Sequence, residues 1–385
     1  MMKRSHLYFL PLISMVFILA LLLEPTQSIG AAKTGLLLWF NTVLPSLLPF
    51  IIGANILMAS GSIYFFEKLF RPLMRPLFNV PGCCAFPWIM GLISGYPMGA
   101  KIAGDLYDNN QITDLELQRL LSFCNNSGPF FILGAVGVGM LGNEHLGYFL
   151  LLIHFLSSIL VGLLFRFYGH ESNSTPKYQK IRFKPANSIG ETLGSSITSA
   201  MEVIVQIGGY IIIFSVIGSL LKETILIKAI GNTLYYVFRP LGMTKELAAS
   251  WLMGIIEMSN GAYMVSTAQS VQSLKMAIVS FILGWGGLSV HAQSLNFIKK
   301  IAIKTPLYLF AKFLHGVIAF SFTLLFFPIY IKHSAQMPLP ESIPTFALSN
   351  VRIFHVIGLG FIIFAFVFSI FVTYFNFKGN PQETK

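Results

Sequence analysis

Long apolar stretches separated by polar loops dominate the chain. The stretches long enough to cross a hydrocarbon core of roughly 30 Å are Leu7–Leu23, Gly35–Ala59, Leu146–Phe167, Val203–Leu221, Pro306–Ile331 and Val351–Phe375. Because only helices and closed barrels satisfy their own backbone hydrogen bonds in lipid, this pattern predicts an all-α, polytopic membrane protein. We expect Pro45 and Pro49 to kink the second stretch.

Two other apolar regions, Phe86–Leu141 and Leu247–Phe297, are interrupted by glycine, proline and polar residues. The interruptions, termed the first to fourth breaks, are residues 94–101, 125–129, 257–261 and 284–293. Backbone unwinds at membrane depth only where protein or a water-filled cavity satisfies its polar groups. Paired interruptions at matching places in two halves of a chain indicate the central site of a transporter with an inverted repeat. The breaks therefore predict discontinuous helices around a site for a small polar solute.

The segments that lead into the breaks recur about 160 residues further along the chain. The sequence WIMG at Trp88 returns as WLMG at Trp251, and the Ser-Phe step before the second break returns before the fourth. Two amphipathic stretches, Ile63–Phe78 and Ile225–Leu241, share an Arg-Pro-Leu step. The predicted organisation is an N-terminal helix and connection (1–34), a first repeat (35–168), a cytoplasmic loop (169–189), a second repeat (190–331), and a last loop, helix and tail (332–385).

Composition agrees with the membrane class. The chain is 55% hydrophobic and only 11% charged, whereas soluble domains carry about 25% charged residues, so a soluble or disordered protein is excluded. The formal net charge of +11 lies mostly between apolar runs, which indicates cytoplasmic loops that follow the positive-inside rule and not a nucleic-acid partner. The cysteines Cys83, Cys84 and Cys124 have neither metal-ligand spacing nor a disulfide pattern.

The charge distribution also predicts orientation. Four groups of basic residues become cytoplasmic if the two halves cross the membrane in opposite senses. They lie at the N-terminus, in the central loop, before the penultimate helix and in the tail. The connection 222–246 disagrees, because it carries four Lys/Arg and this arrangement places it outside. The first apolar run, Leu7–Leu23, follows Lys3 and Arg4 as in a signal peptide, but it exceeds the usual length of a signal-peptide core. We expect a retained membrane helix.

The first break offers the residues Ser94, Gly95, Tyr96, Gly99 and Lys101. A half-helix that starts near Gly99 would point free N–H groups and the positive end of its dipole at the site, which favours an anion. Lys101 adds a positive charge in the first turn. The alternatives are that Lys101 pairs with an aspartate one turn later or extends to the membrane surface.

The second and third breaks offer hydrogen-bonding groups and one carboxylate. Asn125, Asn126 and Ser127 suit a polar solute, although a turn that only caps two helices would contain the same residues. In the third break the candidates are Glu257, Ser259 and Asn260. A carboxylate near the middle of the membrane needs a partner. Glu257 is therefore expected to bind a coupling cation or proton, or else to form a salt bridge with Lys101.

The fourth break offers Trp285, Ser289 and His291. Trp285 would stack on a flat ring of the solute or only pack against other side chains. His291 would change its protonation as the solute or a proton binds, or it would only form hydrogen bonds. Lys312 and His315, one turn apart on the penultimate helix, face either the bundle interior or a neighbour. The sequence contains no arrangement typical of an enzyme, a metal site or a cofactor site.

Three segments carry a family resemblance: Gly91–Ile102 (GLISGYPMGAKI), Leu121–Phe131 (LSFCNNSGPFF) and Arg71–Leu77 (RPLMRPL). They resemble the YlbJ (SpoVV) family of sporulation integral membrane proteins, and the resemblance spans nearly the whole chain. Both halves also resemble the nucleoside-recognition or gate domain, which concentrative nucleoside transporters share. The resemblance implies an inverted repeat of gate type, related in architecture to those transporters.

The resemblance further implies export of dipicolinate, a flat aromatic dianion, from the mother cell across the outer forespore membrane, and hence a role in the spore core and cortex. The expected partners are this small anionic solute and membrane lipid. A coupling ion or proton, a homo-oligomer and association with other sporulation membrane proteins stay open. The alternatives are a non-transporting scaffold or sensor for cortex formation, and a nucleoside transporter.

Overall fold

The computed structural model describes residues 5–59, 63–169, 188–298 and 303–334, and within these ranges the regular structure is entirely helical. The α-helices in chain order are α1 (Ser5–Leu23), α2 (Pro25–Leu38), α3 (Leu44–Ala59), α4 (Ile63–Phe78), α5 (Ala85–Ile93), α6 (Met98–Asp108), α7 (Asp114–Leu121), α8 (Glu144–Phe165), α9 (Ile189–Lys222), α10 (Ile225–Phe238), α11 (Lys245–Ile256), α12 (Met258–Thr267), α13 (Gln272–Trp285), α14 (Gly287–Ile298) and α15 (Thr305–Ser334). Two π-helical segments, Trp39–Val43 and Phe131–Met140, adjoin α3 and α8.

The prediction of an all-α, polytopic membrane protein is confirmed. Within the described residues, the stretches long and apolar enough to cross a membrane are Pro25–Ile56, Glu144–Phe165, Ile189–Lys222, Gln272–Ile298 and Thr305–Lys332. The pair Lys68–Phe78 and Gly82–Ile93 meets at 112° and would add a sixth span. The predicted last helix, Val351–Phe375, and most of the central loop lie outside the described residues.

The second span begins earlier than hydropathy predicts. Its helix starts at Pro25, where the fixed φ of proline suits the first helical position, and not near Gly35. The polar first turns are held by a neighbouring helix, because the Gln27 Nε2–H donates to the carbonyl oxygen of Ser219 at 2.8 Å. The expected irregularity near Pro45 is present as the π-helical segment that precedes it, since proline lacks the N–H that would continue the ladder.

The first and third breaks are the tips of helical hairpins. Residues seven or eight positions apart in a continuous helix lie about 10–12 Å apart along its axis. Here a Cβ atom on Gly91 would lie 3.4 Å from the Cα of Gly99, so α6 folds back against α5. Gly254 and Gly261 make the corresponding close contact between α11 and α12. Each broken region therefore contains two half-length helices packed side by side.

The two halves contain matching aromatic clusters. In the first, the Trp88 ring meets Phe78 edge-on at 5.3 Å and Phe123 at 6.2 Å between centroids. In the second, Trp251 meets Phe238 at 5.2 Å and Phe281 at 5.4 Å, again edge-on. Each cluster joins the end of an amphipathic helix to a hairpin and to the segment before the next break. The order of elements and their packing thus agree with the internal repeat read from the sequence.

Candidate functional site

A small central cavity lies where the four breaks meet. Its volume is about 50 Å³, enough for a few water molecules and well below the roughly 300 Å³ or more of a typical small-molecule pocket. Predicted site residues from all four breaks line it: Ser94, Gly95, Tyr96, Ser127, Glu257, Ser259 and Ser289. Gln293, at the end of the fourth break, completes the polar wall. The remaining wall is apolar, which is typical of a solute-binding site.

A larger outer cavity, termed the vestibule, adjoins the central one. Its volume is about 390 Å³, and it lies between the first hairpin, α3 and α9. Ser94 and Tyr96 line both cavities, so the tip of the first hairpin separates them. Lys101 lines only the vestibule, where its side chain is exposed and its Nζ lies 5.9 Å from the Phe297 ring centroid. Asp105 lines the same wall.

The salt bridge between Lys101 and Glu257, which the sequence offered as an alternative, is not formed. The two side chains line different cavities. The Glu257 carboxylate instead caps α12, accepting hydrogen bonds from the Ser259 N–H at 3.0 Å and the Asn260 N–H at 2.6 Å. The side-chain amide of Asn260 adds a third bond at 2.9 Å. A carboxylate at a helix N-terminus satisfies N–H groups that have no partner within the helix, which explains how the third break is stabilised.

Behind the second break lies a buried ammonium group. Lys312 on α15 has no exposed surface, and its Nζ donates to the carbonyl oxygen of Asn125 at 2.7 Å and contacts His315 Nδ1 at 3.0 Å. The same Nζ lies 5.4 Å from the ring centroid of Tyr96. Lys312 and His315 therefore face the bundle interior, which resolves the alternative that the sequence left open.

The side chain of Asn125 ties the second break to α14 and α15. Its amide donates to Ser294 Oγ at 2.8 Å and to the Tyr308 hydroxyl at 2.9 Å. His291 is buried beside this pair, with its Nδ1 3.3 Å from the Tyr308 hydroxyl. These contacts place two predicted residues next to the central cavity without lining it.

Three predicted residues serve local structure. The Trp285 indole N–H donates to the carbonyl oxygen of Ile255 at 3.0 Å, and its ring meets His291 edge-on at 4.3 Å, so it packs behind the fourth break. The amide of Asn126 donates to the Phe123 carbonyl oxygen at 2.7 Å. Gly99 allows the close contact within the first hairpin.

Several buried polar atoms around the cavities have no hydrogen-bond partner within the described residues. They are Ser94 Oγ, Asn125 Oδ1, Asn126 Oδ1, His154 Nδ1, Ser289 Oγ and His291 Nε2. Buried polar groups are nearly always paired with protein or water. This concentration at the breaks is therefore what a site for a polar solute and water would show. The described residues contain no cluster of acidic, histidine and cysteine side chains that could hold a metal ion.

Two further buried polar residues at the breaks, His154 and Tyr308, are not predicted from the sequence. His154 lies on α8 and is fully buried, and its Nε2 accepts a hydrogen bond from the Ser127 N–H at 3.1 Å. A signal was present, because His154, Ser157 and Ser158 interrupt an otherwise apolar span. Tyr308 gave no such signal, since a tyrosine near the end of a span is typical of a membrane interface.

The fold and these cavities define a polytopic membrane protein of gate type. The sequence profile of the Gate family, described as nucleoside recognition, matches residues 40–144 and 204–337, more than half of the chain. The sporulation integral membrane protein YlbJ of Bacillus subtilis (strain 168) is 36% identical over 324 residues, which cover 80% of this chain and 79% of the relative. This chain therefore belongs to the YlbJ family of sporulation integral membrane proteins, and the resemblance drawn from its motifs is confirmed.

A solved structure of CNTnw, with two substitutions and in an outward-facing state, aligns with a TM-score of 0.49 at 13% sequence identity. The alignment covers 81% of this chain and 85% of that one.

Proposed function

We propose that the protein transports a small polar solute by alternating access through the central cavity. The observation that carries this proposal is the position of Ser94 and Tyr96, which line both the vestibule and the central cavity. A movement of the first hairpin tip would join the two cavities, whereas its present position keeps the central one too small for a ring. Gating of a central site by half-helices is the usual mechanism of repeat-built transporters.

The proposed solute is a small aromatic anion, dipicolinate by family resemblance, moved from the mother cell toward the forespore. The relative YlbJ is named for sporulation, which supports the setting. Lys101 on the exposed vestibule wall would attract an anion, and Tyr96 presents an aromatic ring at the boundary between the cavities. Lys312, directly behind Tyr96, would offset the negative charge of Glu257 for an anion in the central cavity.

A neutral, hydrogen-bonding solute such as a nucleoside is the second candidate. The observation that favours it is that Glu257 lines the central cavity while Lys101 does not. A carboxylate with serine hydroxyls and a glutamine amide would bind hydroxyl and N–H donors well. The matching profile is also described as nucleoside recognition.

The deciding experiment measures dipicolinate in spores and mother cells of a strain that lacks this protein. The strain is complemented with wild type, Lys101→Ala, or Lys33→Ala as an exposed lysine on α2 that lines neither cavity. Membrane abundance is measured in each strain. Anion transport predicts that the deletion leaves dipicolinate in the mother cell, that Lys101→Ala lowers spore dipicolinate several-fold, and that Lys33→Ala restores it.

Normal spore dipicolinate in the deletion strain would contradict dipicolinate transport and favour a scaffold or a different solute. Uptake of labelled nucleosides and of dipicolinate into proteoliposomes separates the last two. Nucleoside uptake without dipicolinate uptake would support the second candidate.

A further inference from the structure

Within the part of the chain that the structure describes, Lys312 is a buried cation without a carboxylate partner. Its contacts within the described residues are the Asn125 carbonyl oxygen, His315 Nδ1 and the face of Tyr96. Burying an ammonium group away from water and from an opposite charge costs several kcal/mol, which neutral hydrogen-bond partners offset in part. An ionisable side chain retained at such a cost inside a membrane marks a functional group by default.

The surrounding hydrogen bonds fix the protonation of both neighbouring histidines. The Ser127 N–H donates to His154 Nε2, so the proton of neutral His154 lies on Nδ1. His315 Nε2 lies 3.0 Å from the carbonyl oxygen of His154, and since a carbonyl only accepts, His315 carries its proton on Nε2. His315 Nδ1 is then the acceptor for a Lys312 N–H. These assignments are mutually consistent when Lys312 holds the positive charge and both imidazoles are neutral, with the His154 Nδ1–H as a donor that has no partner within the described residues.

These groups hold the second break from two sides. Lys312 binds the carbonyl oxygen of Asn125, and His154 binds the N–H of Ser127 two residues later. The imidazole rings of His154 and His315 contact each other at 4.6 Å between centroids, with their planes tilted by 37°, which couples the two attachments. Ser127 and Gly128 line the central cavity. The position of that cavity wall therefore depends on hydrogen bonds made by Lys312.

We propose that Lys312 is a proton-binding gate residue, which closes the second break when protonated and releases it when deprotonated. A charge-assisted hydrogen bond is roughly twice as strong as a neutral one, so loss of the proton weakens the bond to Asn125. Lys312 lines neither cavity, so its proton passes to water that reaches Nζ as the second break moves, and loss of the proton and opening of the break are coupled. The titratable groups that face Lys312 are His154, His291, His315, Tyr96 and Cys124.

In a transport cycle, this residue would couple solute movement to a proton gradient. That step rests on the proposed function, but the gate itself does not. The two are therefore tested by separate measurements.

The gate is tested by thiol labelling in proteoliposomes of the full chain carrying Ser127→Cys. A membrane-permeant maleimide is applied over a pH series, and modification of residue 127 is quantified by mass spectrometry, so the native cysteines stay in place. Each rate is divided by the rate in denaturant at the same pH, which removes the titration of an exposed thiol, and comparison with the Lys312 variants accounts for the titration of the buried thiol. We expect labelling to increase several-fold as pH rises in the otherwise wild-type protein.

Substitutions at Lys312 then separate proton binding from packing. Arginine stays charged, so Lys312→Arg should give low labelling at every pH, and Lys312→Met should give high labelling at every pH. Lys275→Arg is the matched control, because Lys275 also donates to a backbone carbonyl oxygen, that of Ser266 at 2.8 Å, away from the breaks. It should keep the wild-type pH response. An unchanged pH response in Lys312→Arg would overturn the proposal even if Lys312→Met fails to fold.

Coupling is tested with labelled dipicolinate in the same proteoliposomes, without the cysteine. An imposed pH gradient should drive its accumulation in wild type and not in Lys312→Met, whose second break is released at every pH, while exchange at equal pH continues in both. Gradient-driven accumulation in Lys312→Met would overturn the coupling. Labelling that depends on pH without any dipicolinate movement would support the gate and count against the proposed solute.

Discussion

The hydroxyl of Tyr96 donates to the carbonyl oxygen of Leu283 at 3.1 Å, which joins the tip of the first hairpin to the start of the fourth break. A Cβ atom on Gly286 would lie 3.1 Å from the same hydroxyl oxygen, so the glycine leaves room for the tyrosine. Gly286 also has a φ of 89°, a conformation that glycine adopts readily. One side chain from the first half thus closes against the interruption of the second half.

We predict that Tyr96→Phe weakens this closure. The substitution removes one hydrogen bond and leaves the Leu283 carbonyl without it, at a cost of about 0.5–2 kcal/mol. Thermal unfolding of the purified protein in detergent should shift to lower temperature. Tyr330→Phe, which loses a bond to the carbonyl of exposed His145, provides the control and should shift less, because water can replace the lost partner.

Gly99→Ala should disrupt the first hairpin. Its Cβ would collide with the carbonyl oxygen of Cys124, and overpacking against backbone costs about 1–3 kcal/mol or more. The yield of monodisperse protein in size-exclusion chromatography should fall. Gly209→Ala on α9 is the matched control, because a Cβ there meets nothing within 4 Å and alanine favours the helix. An equal yield for the two variants would contradict the close contact.

Glu257→Gln should loosen the third break. Glutamine presents one oxygen where the carboxylate uses both to cap α12, and losing such a cap costs about 0.5–2 kcal/mol. We expect a lower unfolding temperature and faster amide hydrogen exchange at Ser259 and Asn260. Glu223→Gln provides a comparison, because that exposed carboxylate forms a surface ion pair with Lys228, and its loss should change little.

The matching aromatic clusters predict matching losses of stability. Trp88→Leu and Trp251→Leu each remove the central ring of a buried cluster, which should cost about 2–4 kcal/mol in either half. Phe326→Leu, at a ring that is 44% exposed on α15, should cost much less. Unfolding temperatures measured side by side should fall by similar amounts in the two tryptophan variants. A strong asymmetry between them would count against equivalent roles.

Much of the candidate site could be predicted because its signals are local. Gly95 and Pro97 interrupt a helix whatever surrounds them, and a Glu257 carboxylate in an apolar segment stands out in the sequence itself. The roles assigned to these residues depended on neighbours that the sequence does not specify. Lys101 was expected at the solute site, yet it lines only the vestibule, because α6 folds back and carries its first turn toward α3 and α9.

The sequence by itself determined the membrane class, the all-helical structure, the positions of the breaks and the internal repeat. These follow from hydropathy, from the backbone limits of glycine and proline, and from motifs that recur along one chain. Only the tertiary structure decided that Lys312 faces inward, that His154 supports the second break, and that the first and third breaks are the tips of helical hairpins. The physical reason is that each of these contacts joins segments far apart in the chain, such as Lys312 and Asn125, and packing of all the helices sets which polar groups meet.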